Sequence, residues 1–202
     1  MTYVFHLFLG IISAFLGLLA PGMLNMTAVR TTIEQGKRAG VVFSAGASVI
    51  VFIQASIALV FASYLSENPN VFDNLKIAAI IVFFLLALFF FLQARKTFNA
   101  EGKSKKGNLF FIGMVMSAIN MLAIPFYFGL TTYFEVNGQL IMEQPYITLF
   151  IVGSGLGSFI LFVLYVFFAG VITKRAKFIA TNINYILSGL FFMLGLIAIL
   201  KS

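Results

Sequence analysis

Cysteine is absent from this chain, histidine occurs once, and only 6 residues are acidic. Without cysteine there is no disulfide framework, no thiolate metal site and no thiol redox chemistry. His6 stands close to the N-terminus and the acids lie outside the apolar runs, so a histidine or carboxylate metal cluster is not expected. Nothing has the pattern of a nucleotide loop, a catalytic triad or a paired-carboxylate site. No enzyme activity, catalytic residue, metal or cofactor is therefore expected. The start, Met1-Thr2-Tyr3-Val4-Phe5-His6, lacks the basic segment of a secretory signal, and the apolar stretch behind it is long enough to be a retained first span.

What fills the chain instead is apolar. It is 61% hydrophobic and 9% charged over 202 residues, with a mean hydropathy of +1.07, which is the composition of an integral membrane protein. Such a length accommodates about six spans of roughly 20 to 25 residues with short loops. The spans are expected at about 3–28, 40–64, 72–94, 109–134, 146–172 and 179–200. The fold class is thus all-α, a single transmembrane domain over 1–202 with six helices.

The formal charge of +7 is unevenly placed. Arg30, Glu34, Lys37 and Arg38 follow the first span; Arg95, Lys96, Glu101, Lys103, Lys105 and Lys106 follow the third; Lys174, Arg175 and Lys177 follow the fifth. The connections holding Glu67 and Asp73, and Glu135 and Glu143, are poor in basic residues. Because lysine and arginine near span ends stay on the cytoplasmic side, both termini are expected outside. The basic residues read as orientation and as contact with anionic lipid, so no nucleic acid is expected.

Two spans carry helix breakers. Tyr3 to Val29 has no charge apart from His6, yet contains Ala20-Pro21-Gly22 with Asn25 one turn on; Asn108 to Phe134 is uncharged and contains Asn120 and Pro125. Proline removes a backbone donor, so each helix should kink or open there. Freed carbonyls in a bilayer must be buried in protein or line a polar cavity. With three spans per half, the halves enter the membrane in opposite senses. Both second spans are rich in small residues, Ser44-Ala45-Gly46-Ala47-Ser48 and Gly153-Ser154-Gly155-Leu156-Gly157-Ser158. The pattern predicts an inverted 3+3 repeat, about 1–96 and about 108–202, with broken first helices around a solute site.

The candidate substrate-binding residues are Pro21, Gly22, Asn25, Gln54, Asn120 and Pro125. Pro21-Gly22 and Pro125 would open the backbone, while Asn25, Asn120 and Gln54 would bond a solute through their amides. Each also has a plain structural reading: a packing kink for the prolines, and interhelical glue for the amides. The serines of the second span can bond their own helix, and the Gly153 to Gly157 spacing suits close helix packing.

The run Leu18-Leu19-Ala20-Pro21-Gly22-Met23-Leu24-Asn25, with Gly36-Lys37-Arg38-Ala39-Gly40 and the small-residue second span, resembles the lysine exporter (LysE/RhtB) superfamily. The resemblance covers nearly the whole chain in length, span count and break positions. It implies an exporter of amino acids or related small metabolites, driven by an ion gradient, in the bacterial cytoplasmic (inner) membrane. Pro21 and Gly22 match the first break and Asn120 the asparagine opening the second half. The chain departs from the pattern at Met121 and Leu122, where proline and lysine are usual, and at Ile50, Val51 and Gln54 in the second span. These departures remove the embedded titratable groups on which proton coupling would rest. The function expected is a secondary transporter working by alternating access. Its alternatives are a membrane scaffold or assembly subunit on a transporter-like fold, and a cation or metal permease. Expected partners are a small-molecule solute, membrane lipid and further copies of the chain as a homo-oligomer.

Overall fold

A computed structural model describes residues 2–66, 69–95, 107–120 and 122–200. Among them every regular element is an α-helix: α1 (Thr2–Leu18), α2 (Met23–Gln35), α3 (Lys37–Ser66), α4 (Pro69–Arg95), α5 (Leu109–Ala118), α6 (Ala123–Val136), α7 (Tyr146–Phe167) and α8 (Ala169–Leu200). The expected connection at Glu67, the basic stretch from Lys96 to Lys106, and Met121 lie outside the described residues.

Three helical stretches are long and apolar enough to cross a bilayer, Lys37–Tyr64, Tyr146–Phe167 and Thr181–Leu200, and the number is five if each bent pair is one span. The span expected over 72–94 falls on α4, Pro69–Arg95. Large apolar side chains cover the outside, among them Phe8, Ile57, Phe61, Leu85, Ile186 and Met193. In water such a surface would associate; against lipid tails it is the stable arrangement.

The helix ends follow from local chemistry. α1 stops at Leu18 ahead of Pro21, which has no N–H to continue the ladder. α2 restarts at Met23 with its axis turned by 85°. Gly36, at φ 92°, alone separates α2 from α3, a backbone angle that glycine adopts without strain. The Asn108 side chain accepts from the Phe111 amide at 3.2 Å and caps α5. α5 and α6 differ in direction by 64°.

Lys174, Arg175 and Lys177, expected in a loop between the fifth and sixth spans, instead lie within α8, which runs unbroken from Ala169 to Leu200. Lysine and arginine are good helix formers, so a run of them does not end the helix.

Inside the bundle, α1 packs on α7, α5 on α3, and α4 on α8. Association between apolar helices in lipid depends on close van der Waals approach. Two crossings depend on glycine. A Cβ on Gly10 would collide with the Phe150 carbonyl and one on Gly153 with the Leu7 carbonyl; likewise Gly46 faces the Phe110 carbonyl and Gly113 the Phe43 carbonyl. The first half of each bent pair is thereby pressed backbone to backbone against a long helix of the other half of the chain. Phe191 on α8 gathers Phe83, Phe90 and Phe126, with ring centroids 6.2, 5.6 and 5.8 Å away. This buried aromatic cluster joins α4, α6 and α8 beside the breaks.

Candidate functional site

A helix that stops inside a bilayer leaves its last carbonyls without intrahelical donors. Here side chains supply them. At the end of α1, Asn25 Nδ2 donates to the Leu18 carbonyl at 2.6 Å and to the Ala20 carbonyl at 3.0 Å. The Tyr165 hydroxyl, from α7, donates to the Leu19 carbonyl at 2.7 Å. At the end of α5, Gln54 Nε2, from α3, donates to the carbonyls of Ser117 at 3.1 Å and Asn120 at 3.2 Å. Each break is held by a polar side chain from a long helix of the opposite half.

Between the two breaks lies a cavity of about 390 Å³. The first break contributes Leu18, Ala20, Pro21, Gly22, Met23, Leu24 and Asn25 to its wall; the second contributes Met116, Ile119, Asn120, Leu122, Ala123, Phe126 and Tyr127. Helix α4 adds Leu86, Phe89, Phe90 and Gln93, α3 adds Val51, and α8 adds Asn184. No lining residue carries a formal charge. The volume lies at the small end of ligand pockets, and an apolar wall with a few convergent polar groups is their usual make-up.

Both helices that restart after a break begin at this cavity. α2 has Gly22 at its N-cap position and α6 has Leu122, and neither receives a side-chain cap. The carbonyls of Leu18, Leu19, Ala20, Ser117 and Asn120 accept from protein side chains, whereas Gly22 at the N-cap position gives the first N–H groups of α2 no side-chain cap. Asn184 is 3% exposed and its Oδ1 has no hydrogen-bond partner. A buried amide oxygen with no donor is costly in an apolar setting, and Gln54 Oε1 and Ser117 Oγ are buried without a partner as well.

Of the six residues singled out in the sequence, Pro21, Gly22, Asn25 and Asn120 come together on the cavity wall. Gln54 and Pro125 are not on it. Gln54 was expected to bond a solute; its Nε2 is instead engaged by the Ser117 and Asn120 carbonyls. Pro125 was expected to open the backbone; the break falls ahead of it, between Ala118 and Ala123, and Pro125 sits in the first turn of α6. No i−4 bond is needed there, so its missing N–H costs little.

The serines of α3 bond their own helix, Ser44 to the Gly40 carbonyl at 2.8 Å and Ser48 to the Ser44 carbonyl at 2.9 Å. Asn184, Gln93 and Tyr165 were not singled out. Asn184 was visible only as part of Asn182-Ile183-Asn184, where spacing does not separate the residue facing the cavity from its neighbour. Asn182 bonds the Phe178 carbonyl of its own helix at 2.7 Å. Among the described residues no three histidine, aspartate or glutamate side chains gather to hold a metal.

Among the described residues the chain is an all-helical protein with apolar, membrane-length helices and a small uncharged cavity between two bent helix pairs. The family follows from the sequence as a whole: the family model of the LysE type translocators matches residues 15–202, and the chain belongs to that family. It is accordingly a membrane protein of a family that moves small solutes, whose members are transporters and not enzymes. No curated protein matches the chain. No solved structure matches it either.

Proposed function

We propose that this protein is a secondary transporter that exports amino acids or related small metabolites across the bacterial cytoplasmic membrane by alternating access. The observation that carries the reading is the meeting of both bent helix pairs on one uncharged cavity. In transporters of this kind discontinuous helices present their ends to the solute near the middle of the bilayer. The two halves, about 1–96 and about 108–202, act as inverted repeats of three spans each, with both termini outside. The matched glycine crossings, Gly10 with Gly153 and Gly113 with Gly46, support that arrangement. So do the matched clamps of Tyr165 on the first break and Gln54 on the second.

In this scheme Pro21 and Gly22 keep the first break open, Asn25 and Asn120 face the solute, and Gln54 and Pro125 shape the second break from behind. Rocking of one half against the other about the glycine crossings exposes the cavity alternately to each side. Purified protein in lipid vesicles should give saturable counterflow of a small metabolite, reduced by Asn120→Ala. Folded protein that carries nothing from a broad metabolite panel would overturn the proposal, and a stoichiometric membrane partner found with that protein would favour an assembly subunit.

A further inference from the structure

We infer that the connection between α6 and α7, residues 137–145, is a pH-sensitive strap: the neutral imidazole of His6 latches it onto α1, and protonation of that ring releases it. The inference goes beyond the transporter reading and does not rest on it.

His6 stands on a helix that yields little. It lies within α1, one turn before Gly10, whose backbone is pressed against the Phe150 carbonyl of α7. The residue is 1% exposed. Its Nδ1 donates to the Thr2 carbonyl at 2.7 Å, which leaves Nε2 as the acceptor, and Nε2 takes the Ile141 amide at 3.1 Å. The strap is irregular backbone by contrast. It opens on a turn at Gly138, φ 66°, and the Gln139 and Leu140 amides bond back to the Phe134 carbonyl at 2.7 and 3.1 Å. At its far end the Ile147 and Leu149 amides bond the carbonyls of Glu143 and Pro145. Among the described hydrogen bonds, the one from Ile141 to His6 is what ties the middle of the strap across to α1.

Protonation removes that acceptor. An imidazolium donates at both nitrogens, so its Nε2–H would face the Ile141 N–H, donor against donor. A buried charge without a partner is costly, and lifting the strap is what brings water to the ring. The open strap therefore binds a proton that the closed one excludes. By linkage the strap is held closed at neutral and higher pH, and the hold is lost as the pH falls through the range in which histidine gains its charge. Around this corner the titratable groups are Tyr3 on α1, Tyr146 at the start of α7, Glu143 in the strap and Glu135 in the last turn of α6. The Tyr146 ring lies 4.7 Å from the imidazole and 5.3 Å from the Tyr3 ring. No lysine or arginine occurs in α1, α6, the strap or α7. The strap runs directly on from α6, whose opening residues Ala123, Phe126 and Tyr127 wall the cavity, so its release loosens the far end of a cavity helix.

The test is hydrogen exchange at the Ile141 amide of the purified full chain in detergent, at about pH 8 and about pH 5, with each rate divided by that of an unstructured peptide at the same pH. Protection of Ile141 should be about tenfold lower at the acid pH, the loss of one hydrogen bond, and should return when the higher pH is restored, while amides within α3 keep theirs. In His6→Phe the protection should be low at both pH values, with no change between them. Glu135→Gln and Glu143→Gln should respond to pH as the parent does. A second readout leaves the histidine in place: a spin label on Gln139→Cys, an exposed position in a chain with no cysteine of its own, should gain mobility on acidification. Equal protection of Ile141 at the two pH values in the parent, a spin label indifferent to pH, or a pH response that persists in His6→Phe or disappears in Glu143→Gln would overturn the inference.

Discussion

Gln54 Nε2 donates to the Asn120 carbonyl at 3.2 Å, joining residues 66 positions apart. The same nitrogen reaches the Ser117 carbonyl at 3.1 Å. The side chain is 5% exposed, so it replaces within the protein the water that the broken end of α5 would otherwise require. Gln54→Leu keeps the volume and removes the donor, leaving two carbonyls to be satisfied in an apolar interior. The expected cost is about 1–3 kcal/mol, seen as a lower Tm in detergent. An unchanged Tm would mean that the break has another donor and that Gln54 is free to serve a solute.

How much of this was legible beforehand depended on whether a residue acts through its own backbone or through a distant neighbour. Pro21 announces its break because the loss of an N–H is local. Pro125 misleads for the same reason: a proline in a helix's first turn costs little, and only the observed start of α6 at Ala123 shows that it begins a helix instead of breaking one. Lys174 and Arg175 were read as a loop because of their charge, which says nothing about helix continuity, so the long α8 was hidden. Gln54 and Asn25 were legible as polar groups that need partners, whereas the identity of those partners was not. Tyr165 and Asn184 act on or beside breaks that are remote in the chain, and no spacing rule connects them to Leu19 or Pro21.

The glycine crossings predict opposite effects for one kind of substitution. Gly10→Ala and Gly113→Ala place a methyl group against a neighbouring backbone carbonyl, which no side-chain rotation relieves. Each should destabilise the protein by about 1–3 kcal/mol. Gly189, inside α8, has nothing within 4 Å of an added Cβ, so Gly189→Ala should gain up to about 1 kcal/mol from helix propensity. Thermal unfolding of the three variants in one detergent tests this. Equal shifts would show that α1 and α5 do not approach α7 and α3 as closely as described.

His6 ties the connection before α7 to α1. Its Nδ1 bonds the Thr2 carbonyl at 2.7 Å, and Nε2 accepts from the Ile141 amide at 3.1 Å. Those bonds set the tautomer, with the proton on Nδ1. The ring also lies 4.7 Å from that of Tyr146. His6→Phe keeps an aromatic ring and removes both bonds. The Ile141 amide should then exchange with deuterium about tenfold faster, with the spans themselves unaffected. Unaltered exchange at Ile141 would show that the connection is held without His6.

Asn25 and Asn120 both line the cavity, but only the side chain of Asn25 is engaged in holding a break. Its Nδ2 bridges the Leu18 and Ala20 carbonyls, and the residue is 2% exposed. Asn25→Ala should therefore lower the Tm, by an amount matching about 1–3 kcal/mol, and reduce counterflow with it. Asn120 meets Gln54 through its backbone carbonyl, which Asn120→Ala retains. That variant should leave the Tm near the parent value while cutting counterflow by about tenfold, the loss of one hydrogen bond to a bound solute. The two measurements taken together separate an amide that also holds a break from one that only faces the solute. If Asn120→Ala unfolds as readily as Asn25→Ala, its side chain belongs to the scaffold; if counterflow survives it unchanged, the solute is held without the second break.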